Sequence, residues 1–316
     1  MGWPELSSTA SKLKMQIYKP IMKVSAVIVG RNDDYGGRLN ERATYCFNTM
    51  LDAFDEVIYV DWNSENGRAL TEDLEITVNR DRLKVIKVSP TMCEALMGTE
   101  KFKMSNKCCQ VLAKNIGIRR ATGDIIVATN VDIIPPRRDY LDVLINSMEP
   151  SDFVTISKHD VDIDKVNDIF NGCASYQKLR DLLPLYYGLN PVSARLMIPY
   201  ITMTKEAMMT LPPHAHHVAS SVIMACGDFQ IAHRDMWFKI KGYEESMIKR
   251  LYDDSIVQYK AILLGDATIR ATNFPPVYHL DHARNNAPEL LNEQIPPIGQ
   301  NPDTWGFSTV DFPFIN

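Results

Sequence analysis

An aspartate and two histidines have the side-chain chemistry of a divalent metal site. Asp132 closely follows the apolar run 125–129, and His279 and His282 lie three residues apart far downstream. A carboxylate oxygen suits Mg²⁺ or Mn²⁺, and two imidazoles at this spacing can converge on one ion. Asn and Asp are also frequent turn residues, so on its own the step from Asn130 to Asp132 is more typical of a turn that ends a strand. The residue types alone leave both interpretations open.

The adjacent carboxylates of Asp253 and Asp254 form a second candidate site. They precede an apolar pattern at 255–264 that predicts a helix. Acidic residues are favoured in the first turn of a helix, beside its exposed N–H groups. Two carboxylates beside a cleft can also hold one hydroxyl group and deprotonate another. A helix start and an acid–base site are therefore the two alternatives for this pair.

Apolar runs of strand length predict the scaffold that would position these residues. They lie at 24–29, 56–60, 83–88 and 125–129, with helical patterns at 38–54 and 106–120 between them. This order predicts right-handed crossovers in an α/β fold, with a central, mostly parallel sheet flanked by helices. Arg31, Asp61 and Asn130 closely follow three of the strands. Because the carboxyl ends of parallel strands share one edge of a sheet, we expect these side chains and Asp132 to line one ligand site, as a nucleotide requires.

Composition narrows the class of protein. A chain of 316 residues with 45% hydrophobic content suits one large α/β domain with an insertion, or two modest domains. The net charge is −5 and no basic stripe occurs, so no nucleic-acid partner is expected. The first 20 residues lack a signal-peptide core, and no run approaches the ~20 apolar residues of a membrane helix. The six cysteines lack zinc-finger spacing, which indicates reduced thiols. We expect a soluble, cytoplasmic protein without an integral membrane segment.

Five sequence blocks together resemble the GT-A class of nucleotide-sugar glycosyltransferases, nearest to the β-1,4-galactosyltransferase and chondroitin-synthesising branch, with general similarity to family 2. The blocks are VIVGRN at 27–32, VDWNS at 60–64, NVDIIP at 130–135, GDF to KGY to DD between 227 and 254, and HLDHAR at 279–284. The family's third block begins with Asp where this chain has Asn130, an amide without charge. Its last block begins with Met where this chain has His279, a better Mn²⁺ ligand than a thioether.

The resemblance implies a Rossmann-like GT-A fold and a role for each matched residue. Asp132, His279 and His282 would hold Mn²⁺ or Mg²⁺, and Asp254 would be the catalytic base. The expected nucleotide contacts are Arg31, Asp61, Asn130, Lys107 and Lys114. Asp253 and Trp237 would contact the acceptor, although Trp237 is equally typical of a core residue.

The implied function is transfer of a sugar, with inversion, from a nucleotide-sugar donor (a UDP-sugar in the nearest branch) to a hydroxyl of a glycan or glycoconjugate acceptor. A sugar-nucleotide nucleotidyltransferase is an alternative, but GRNDDYGG at 30–37 matches its glycine-rich phosphate loop poorly. A catalytically inactive glycan- or nucleotide-binding module is a second alternative, with Asn130 as the sign of decay.

The resemblance and the composition divide the chain as follows. We expect an N-terminal arm at 1–20, a GT-A domain at 21–290 and a C-terminal tail at 291–316. Within the domain, 21–136 would be the nucleotide-binding half, 137–225 an insertion or acceptor-side segment, and 226–290 the half that binds the acceptor and completes the metal site.

Overall fold

One nine-stranded sheet runs through the part of the chain that the structure describes. This structure is a computed structural model, and it describes residues 22–64, 67–104, 108–186, 201–210, 227–247, 253–283 and 298–315. The strands are β1 Val24–Gly30, β2 Glu56–Trp62, β3 Leu83–Val88, β4 Ile125–Asn130, β5 Ile133–Ile134, β6 Asp152–Val161, β7 Ile201–Met203, β8 Phe229–His233 and β9 Thr268–Leu280. Their order is β3-β2-β1-β4-β8-β6-β9-β5, and β7 also pairs with β9.

Most of these strands point in the same direction. β1 to β4 are mutually parallel. β8 is antiparallel to both β4 and β6, which returns β6 and its parallel neighbour β9 to the direction of β1. Only the described strands β5, β7 and β8 therefore run the opposite way. The predicted α/β class with a mainly parallel sheet flanked by helices is confirmed.

Helices cover both faces of this sheet. They are α1 Leu39–Ala53, α2 Pro90–Met97, α3 Thr99–Met104, α4 Gln110–Arg120, α5 Arg138–Asn146, α6 Ile163–Cys173, α7 Tyr176–Tyr186, α8 Lys205–Thr210, α9 Arg234–Lys239 and α10 Asp253–Gly265. Every residue of β1 and β2 is buried, as expected for central strands covered on both sides. Val27 packs into the core beneath α4, and its neighbours Ala26 and Ile28 pack into the core beneath α1. This alternation follows from the two-residue period of a strand.

The segment 137–225 contributes more to the fold than its sequence predicts. Its strand β6 lies inside the sheet between β8 and β9. Its helices α6 and α7 pack with β5 and the end of β9 around a third apolar cluster that includes Val166 and Leu179. The helices also lie beside α1, and they brace the strands that carry the candidate metal ligands. Residues 187–200 and 211–226 of this segment lie outside the described residues.

Two other elements differ from the pattern of the sequence. Residues 89–104, for which the sequence predicted no regular element, contain α2 and α3. β9 runs through Pro275 and Pro276, which ordinarily argue against a strand inside a sheet. The pairing with β6 shifts register between Ile156 and Lys158, so the proline pair lies within this irregularity. A bulge of this kind removes the ladder hydrogen bonds that proline cannot make.

Parts of both chain ends fall outside the description. Residues 1–21, which include the expected N-terminal arm, are not among the described residues. The described tail, 298–315, packs on the domain through the buried Trp305. Arg120 donates hydrogen bonds to the carbonyl groups of Gly306, Phe307 and Val310. Among the described helices, none combines the length and the hydropathy that crossing a bilayer requires.

Candidate active site

The carboxyl ends of β1, β2 and β4 meet at one edge of the sheet, as the sequence predicts. Gly30 pairs with Asp61, and Val29 pairs with Asn130. The next residue, Arg31, has only 3% of its side chain exposed, and its Nε lies 2.9 Å from Asp33 Oδ2. The expected nucleotide-facing positions therefore lie side by side on adjacent strands.

The Asp61 carboxylate is buried and hydrogen-bonded at this edge of the sheet. Its Oδ1 accepts hydrogen bonds from the Tyr59 hydroxyl at 3.0 Å, the Ser64 hydroxyl at 2.9 Å and the Leu70 N–H at 3.3 Å. Burial raises the pKa of Asp61, and these hydrogen bonds oppose that rise because they favour the charged form. The loop that follows β2 is therefore held in place by the side chain expected to contact the nucleotide.

The three predicted metal ligands come together because β5 pairs with β9. Ile133 lies opposite His279, and the Leu280 N–H donates to the Asp132 carbonyl at 2.9 Å. Asp132 Oδ2 then lies 3.7 Å from His279 Nε2 and 3.2 Å from His282 Nε2. One ligand atom from each of the three residues lies within 4.8 Å of the other two. The structure thus assembles residues from two distant parts of the chain into one cluster.

Hydrogen bonds fix the orientation of both imidazole rings in this cluster. His279 Nδ1 lies 2.7 Å from Asp160 Oδ1, and His282 Nδ1 lies 2.9 Å from the Ala283 carbonyl oxygen. Each partner is an acceptor, so each Nδ1 donates to it, and this orientation leaves each Nε2 facing Asp132. Asp132 Oδ1 is itself buried, and none of the described residues forms a hydrogen bond with it.

This donor set fits a divalent cation. The Arg42 guanidinium supplies one positive charge to Asp132 Oδ2, and the two Nε2 atoms that face the same oxygen need a further one between them, either a metal ion or a proton on one ring. Although burial opposes ionisation, His282 and His279 lower the pKa of Asp132, so its carboxylate is charged. Two imidazole nitrogens and a carboxylate oxygen are ligands that suit Mn²⁺, and Mg²⁺ accepts the carboxylate more readily than the imidazoles.

Two supporting residues of the cluster were missed in the sequence. Arg42 is 1% exposed, its Nη1 lies 3.1 Å from Asp132 Oδ2, and it also donates to the Tyr35 carbonyl. It lies on the apolar face of α1, three residues after Leu39, and a charge in that position was a signal that could have revealed it. Asp160, which orients His279, gave no such signal because its strand β6 was not predicted to lie in the sheet beside β9.

The second candidate site lies at the start of α10. Asp253 is nearly buried, whereas 36% of the Asp254 side chain is exposed, so Asp254 is the more accessible carboxylate of the pair. Its Oδ1 is nevertheless buried, and this burial raises the pKa of Asp254, whereas the nearby ammonium group of Lys114 opposes the rise. Gly227 approaches Asp254 so closely that a Cβ at position 227 would lie 1.7 Å from Asp254 Cγ.

Lys114 has a different place from the one expected. Its side chain is 1% exposed, and its Nζ lies 3.7 Å from Asp254 Oδ1 and 5.1 Å from the centre of the Tyr243 ring. The prediction that Lys114 adds charge beside the nucleotide phosphates is therefore corrected, because its charge faces the Asp254 carboxylate from inside the protein. Lys107, the other lysine of that prediction, lies outside the described residues.

Trp237 is a core residue. It has no exposed surface, its Nε1 donates to the Ile126 carbonyl at 3.1 Å, and its ring packs against Phe153 and Tyr243. The prediction that Trp237 contacts the acceptor is therefore wrong. The core alternative, which the sequence allowed equally, describes its place.

Asn130 connects the two candidate sites through a residue that the sequence did not single out. Its Nδ2 donates to Asp228 Oδ1 at 2.7 Å, and the Thr129 hydroxyl donates to the Asp228 carbonyl at 2.7 Å. Lys158 Nζ lies 2.5 Å from Asp228 Oδ2. Asp228 follows Gly227, the residue packed against Asp254. A continuous path of contacts therefore runs from the end of β4 to the carboxylate at the start of α10.

Several solved structures are similar to this chain, whereas no protein-family model and no curated protein sequence matches it. A crystal structure of TarS 1–349 from S. aureus is 15% identical, with a TM-score of 0.47, and the match covers 82% of this chain and 60% of that one. GalNAc-T7 with UDP, GalNAc and Mn²⁺ is 12% identical, with a TM-score of 0.47 and coverage of 84% and 45%. The mannosyltransferase PcManGT from Pyrobaculum calidifontis, in complex with GDP-Man and Mn²⁺, is 16% identical, with a TM-score of 0.44 and coverage of 91% and 72%. The chain thus spans about 60% and 45% of the first two structures.

Proposed function

We propose that this protein is a metal-dependent glycosyltransferase that moves a sugar from a nucleoside-diphosphate sugar to a hydroxyl group of a glycan acceptor. The observation that carries the proposal is the presence of two chemically distinct centres at one edge of the sheet. One is the Asp132, His279 and His282 cluster, and the other is the accessible carboxylate of Asp254. They are joined through Asn130, Asp228 and Gly227.

The donor would bind along the strand ends. Arg31 directly follows β1, and Asp61 lies near the end of the adjacent strand β2. These two residues would position the base and ribose, with Asn130 beside the ribose. Asp132, His279 and His282 would hold Mn²⁺ or Mg²⁺, which when bound offsets the charge that builds on the departing diphosphate. A UDP-sugar is the donor that the resemblance favours.

Asp254 would act as the general base toward the acceptor. The acceptor oxygen forms a bond to the anomeric carbon while the bond from that carbon to the diphosphate oxygen breaks. The acceptor proton passes to the Asp254 carboxylate, and the nucleoside diphosphate leaves with the electron pair of the broken bond. Attack from the face opposite the leaving group inverts the configuration. Asp253, at the start of the same helix, remains a proposed acceptor contact.

One assay separates this function from its alternatives. The protein is incubated with Mn²⁺, a panel of UDP- and GDP-sugars and a mixture of oligosaccharide acceptors, and free nucleoside diphosphate is measured. The proposed metal-dependent glycosyltransferase would release nucleoside diphosphate in the presence of Mn²⁺ and not in excess chelator. A nucleotidyltransferase instead releases pyrophosphate from a nucleoside triphosphate and a sugar phosphate. Binding of a nucleotide sugar without release of either product would identify an inactive module and overturn the proposal.

The pH dependence of turnover should report the environment of Asp254. An ordinary aspartate has a pKa of about 3.9. Because burial raises the pKa of Asp254, its carboxylate becomes protonated at a higher pH than that, and in the protonated form it cannot accept a proton. We expect kcat at saturating donor and Mn²⁺ to fall on the acid side at a pH above that value. Replacing Lys114 with Met removes an opposing positive charge and should move the acid limb to still higher pH. A limb that does not move in Lys114→Met would assign the titration to another group.

The contact between Gly227 and Asp254 gives a further prediction. An alanine at 227 would force the Asp254 carboxylate or the backbone to move, since no room exists for its Cβ. A displacement of about 1 Å in a catalytic group lowers turnover by about a hundredfold, and we expect a loss of this order with unchanged Mn²⁺ binding. Gly172→Ala is the matched control, because a Cβ there would meet no atom of the described part of the chain within 4 Å. Gly227→Ala with wild-type kcat would show that this contact does not position the base.

A further inference from the structure

Asp228 is a charged residue at a position where the resemblance places glycine. The family block reads Gly-Gly-Val where this chain reads Gly227-Asp228-Phe229, and the first aspartate of the metal block is Asn130 here. The two departures are in direct contact, because Asn130 Nδ2 donates to Asp228 Oδ1 at 2.7 Å. A carboxylate is thus present at this edge of the sheet, but it belongs to the residue that precedes β8 and not to the last residue of β4.

The surroundings hold this carboxylate in a fixed position. Lys158 Nζ lies 2.5 Å from Asp228 Oδ2 and 3.9 Å from Asp160 Oδ1. The Thr129 hydroxyl donates to the Asp228 backbone carbonyl, which anchors the main chain as well. Of the Asp228 side chain, 17% remains exposed. Contacts with an ammonium and an amide N–H both favour the charged form of the acid.

Asp228 also lies between the two proposed centres. Its partner Asn130 is two residues from Asp132, and its neighbour Gly227 packs against Asp254. Its negative charge acts on the carboxyl groups of both centres. It raises the pKa of Asp132, which the histidines lower, and it raises the pKa of Asp254, which Lys114 lowers. In a glycosyl transfer, the transferred sugar ring lies between the diphosphate of the donor and the general base that deprotonates the acceptor.

We propose that Asp228 binds a hydroxyl group of the transferred sugar and is a specificity-determining residue for the donor. This inference rests on the proposed function. An ionised carboxylate is an acceptor without protons, so it selects for sugars that present a hydroxyl toward it and selects against those that lack one. Lys158 and Asn130 hold the carboxylate in position, and both are positioning residues in this scheme.

The test compares donors that differ by one hydroxyl group. Wild type and Asp228→Asn are assayed with the donor found active in the panel and with its monodeoxy analogues, and kcat and KM are measured separately. Loss of a hydrogen bond to a charged group corresponds to about 10- to 100-fold in kcat/KM. The kcat/KM of wild type should fall by this factor when one particular deoxy donor replaces the parent donor. With the parent donor, the kcat/KM of Asp228→Asn should lie below that of wild type by the same factor. Replacing the parent donor with that deoxy donor should then lower the kcat/KM of Asp228→Asn little further.

Two measurements exclude a merely structural role. The affinity for UDP or GDP alone, measured by calorimetry with Mn²⁺, should be unchanged in Asp228→Asn, because these ligands lack the sugar. Lys158→Met should weaken the discrimination between parent and deoxy donors without abolishing it. Equal losses with every donor, an equal loss of nucleoside-diphosphate affinity, or unchanged kcat/KM for all donors would each overturn the proposal.

The outcome stays interpretable if the proposed function fails. Should wild type release no nucleoside diphosphate from any donor, the transfer function is refuted, and the same variants are compared by calorimetry with UDP-glucose against UDP and GDP-mannose against GDP. Tighter binding of the sugar-bearing ligand that depends on Asp228 would support the sugar contact on its own. Binding of the nucleotide sugars that is unaffected by Asp228→Asn, or no binding of them at all, would overturn it.

Discussion

Asp254→Asn will reduce kcat by about 10²- to 10⁴-fold, the range that a general base contributes, while donor and Mn²⁺ affinities stay within a few-fold of wild type. Asparagine has nearly the size of aspartate and fits beside Gly227, but its amide cannot accept the acceptor proton at neutral pH. The metal cluster at Asp132 is a separate group of residues and keeps its ligands. The measurement is single-turnover transfer at saturating donor, with calorimetry for donor and Mn²⁺ binding.

The control for this variant is Asp266→Asn. Asp266 is an exposed carboxylate just beyond the other end of the same helix, where it pairs with Lys205 at 3.0 Å, so its replacement changes the net charge equally without touching the site. Asp254→Asn leaves the buried Lys114 without its carboxylate, so thermal melting of both variants is needed to show that the fold is retained. Weakened donor binding with an unchanged kcat would show that Asp254 contacts the donor and is not the base.

The sequence revealed the sheet edge because local patterns determine it. β-branched and other apolar residues fill β1, β2 and β4, and each strand ends where a polar residue appears, so the positions of Arg31, Asp61 and Asn130 followed directly. The histidines could also be linked to Asp132, but only through the resemblance. Nothing local indicates that β5 pairs with β9, and this pairing is what brings His279 to Asp132.

The errors arise where tertiary packing decides which way a side chain faces. Lys114 and Trp237 both belong to helices whose patterns fix a buried face but not what that face meets. Lys114 meets the start of α10, so its ammonium group compensates Asp254. Trp237 meets β4, so its indole N–H satisfies a strand carbonyl inside the core. A single sequence does not show which distant residues come into contact, and Asp228 was missed for the same reason.

Asp132→Asn should remove metal-dependent turnover almost entirely, by about a thousandfold or more, since a metal ion contributes several kcal/mol of charge stabilisation. The amide has no charge to balance a cation held among the two Nε2 atoms, and Mn²⁺ affinity measured by calorimetry should fall with the activity. Asp160→Asn should show a smaller loss of 10- to 100-fold, because it only orients His279. His282→Ala should raise the Mn²⁺ concentration needed for half-maximal activity.

This graded series distinguishes a metal ion from a proton as the charge that holds the cluster together. If a protonated imidazole fills that role, Asp132→Asn leaves Mn²⁺ binding unchanged and wild type stays active in excess chelator, which would refute the metal site. Asp164→Asn is the matched control, because this exposed carboxylate pairs with Arg38 at 2.8 Å, away from the cluster, and should leave Mn²⁺ affinity unaltered. Because the Asn variant also leaves Arg42 facing a neutral amide, its thermal stability must be compared with that of wild type. A folded Asp132→Asn protein that has lost Mn²⁺ binding would then assign the cation to Asp132, His279 and His282.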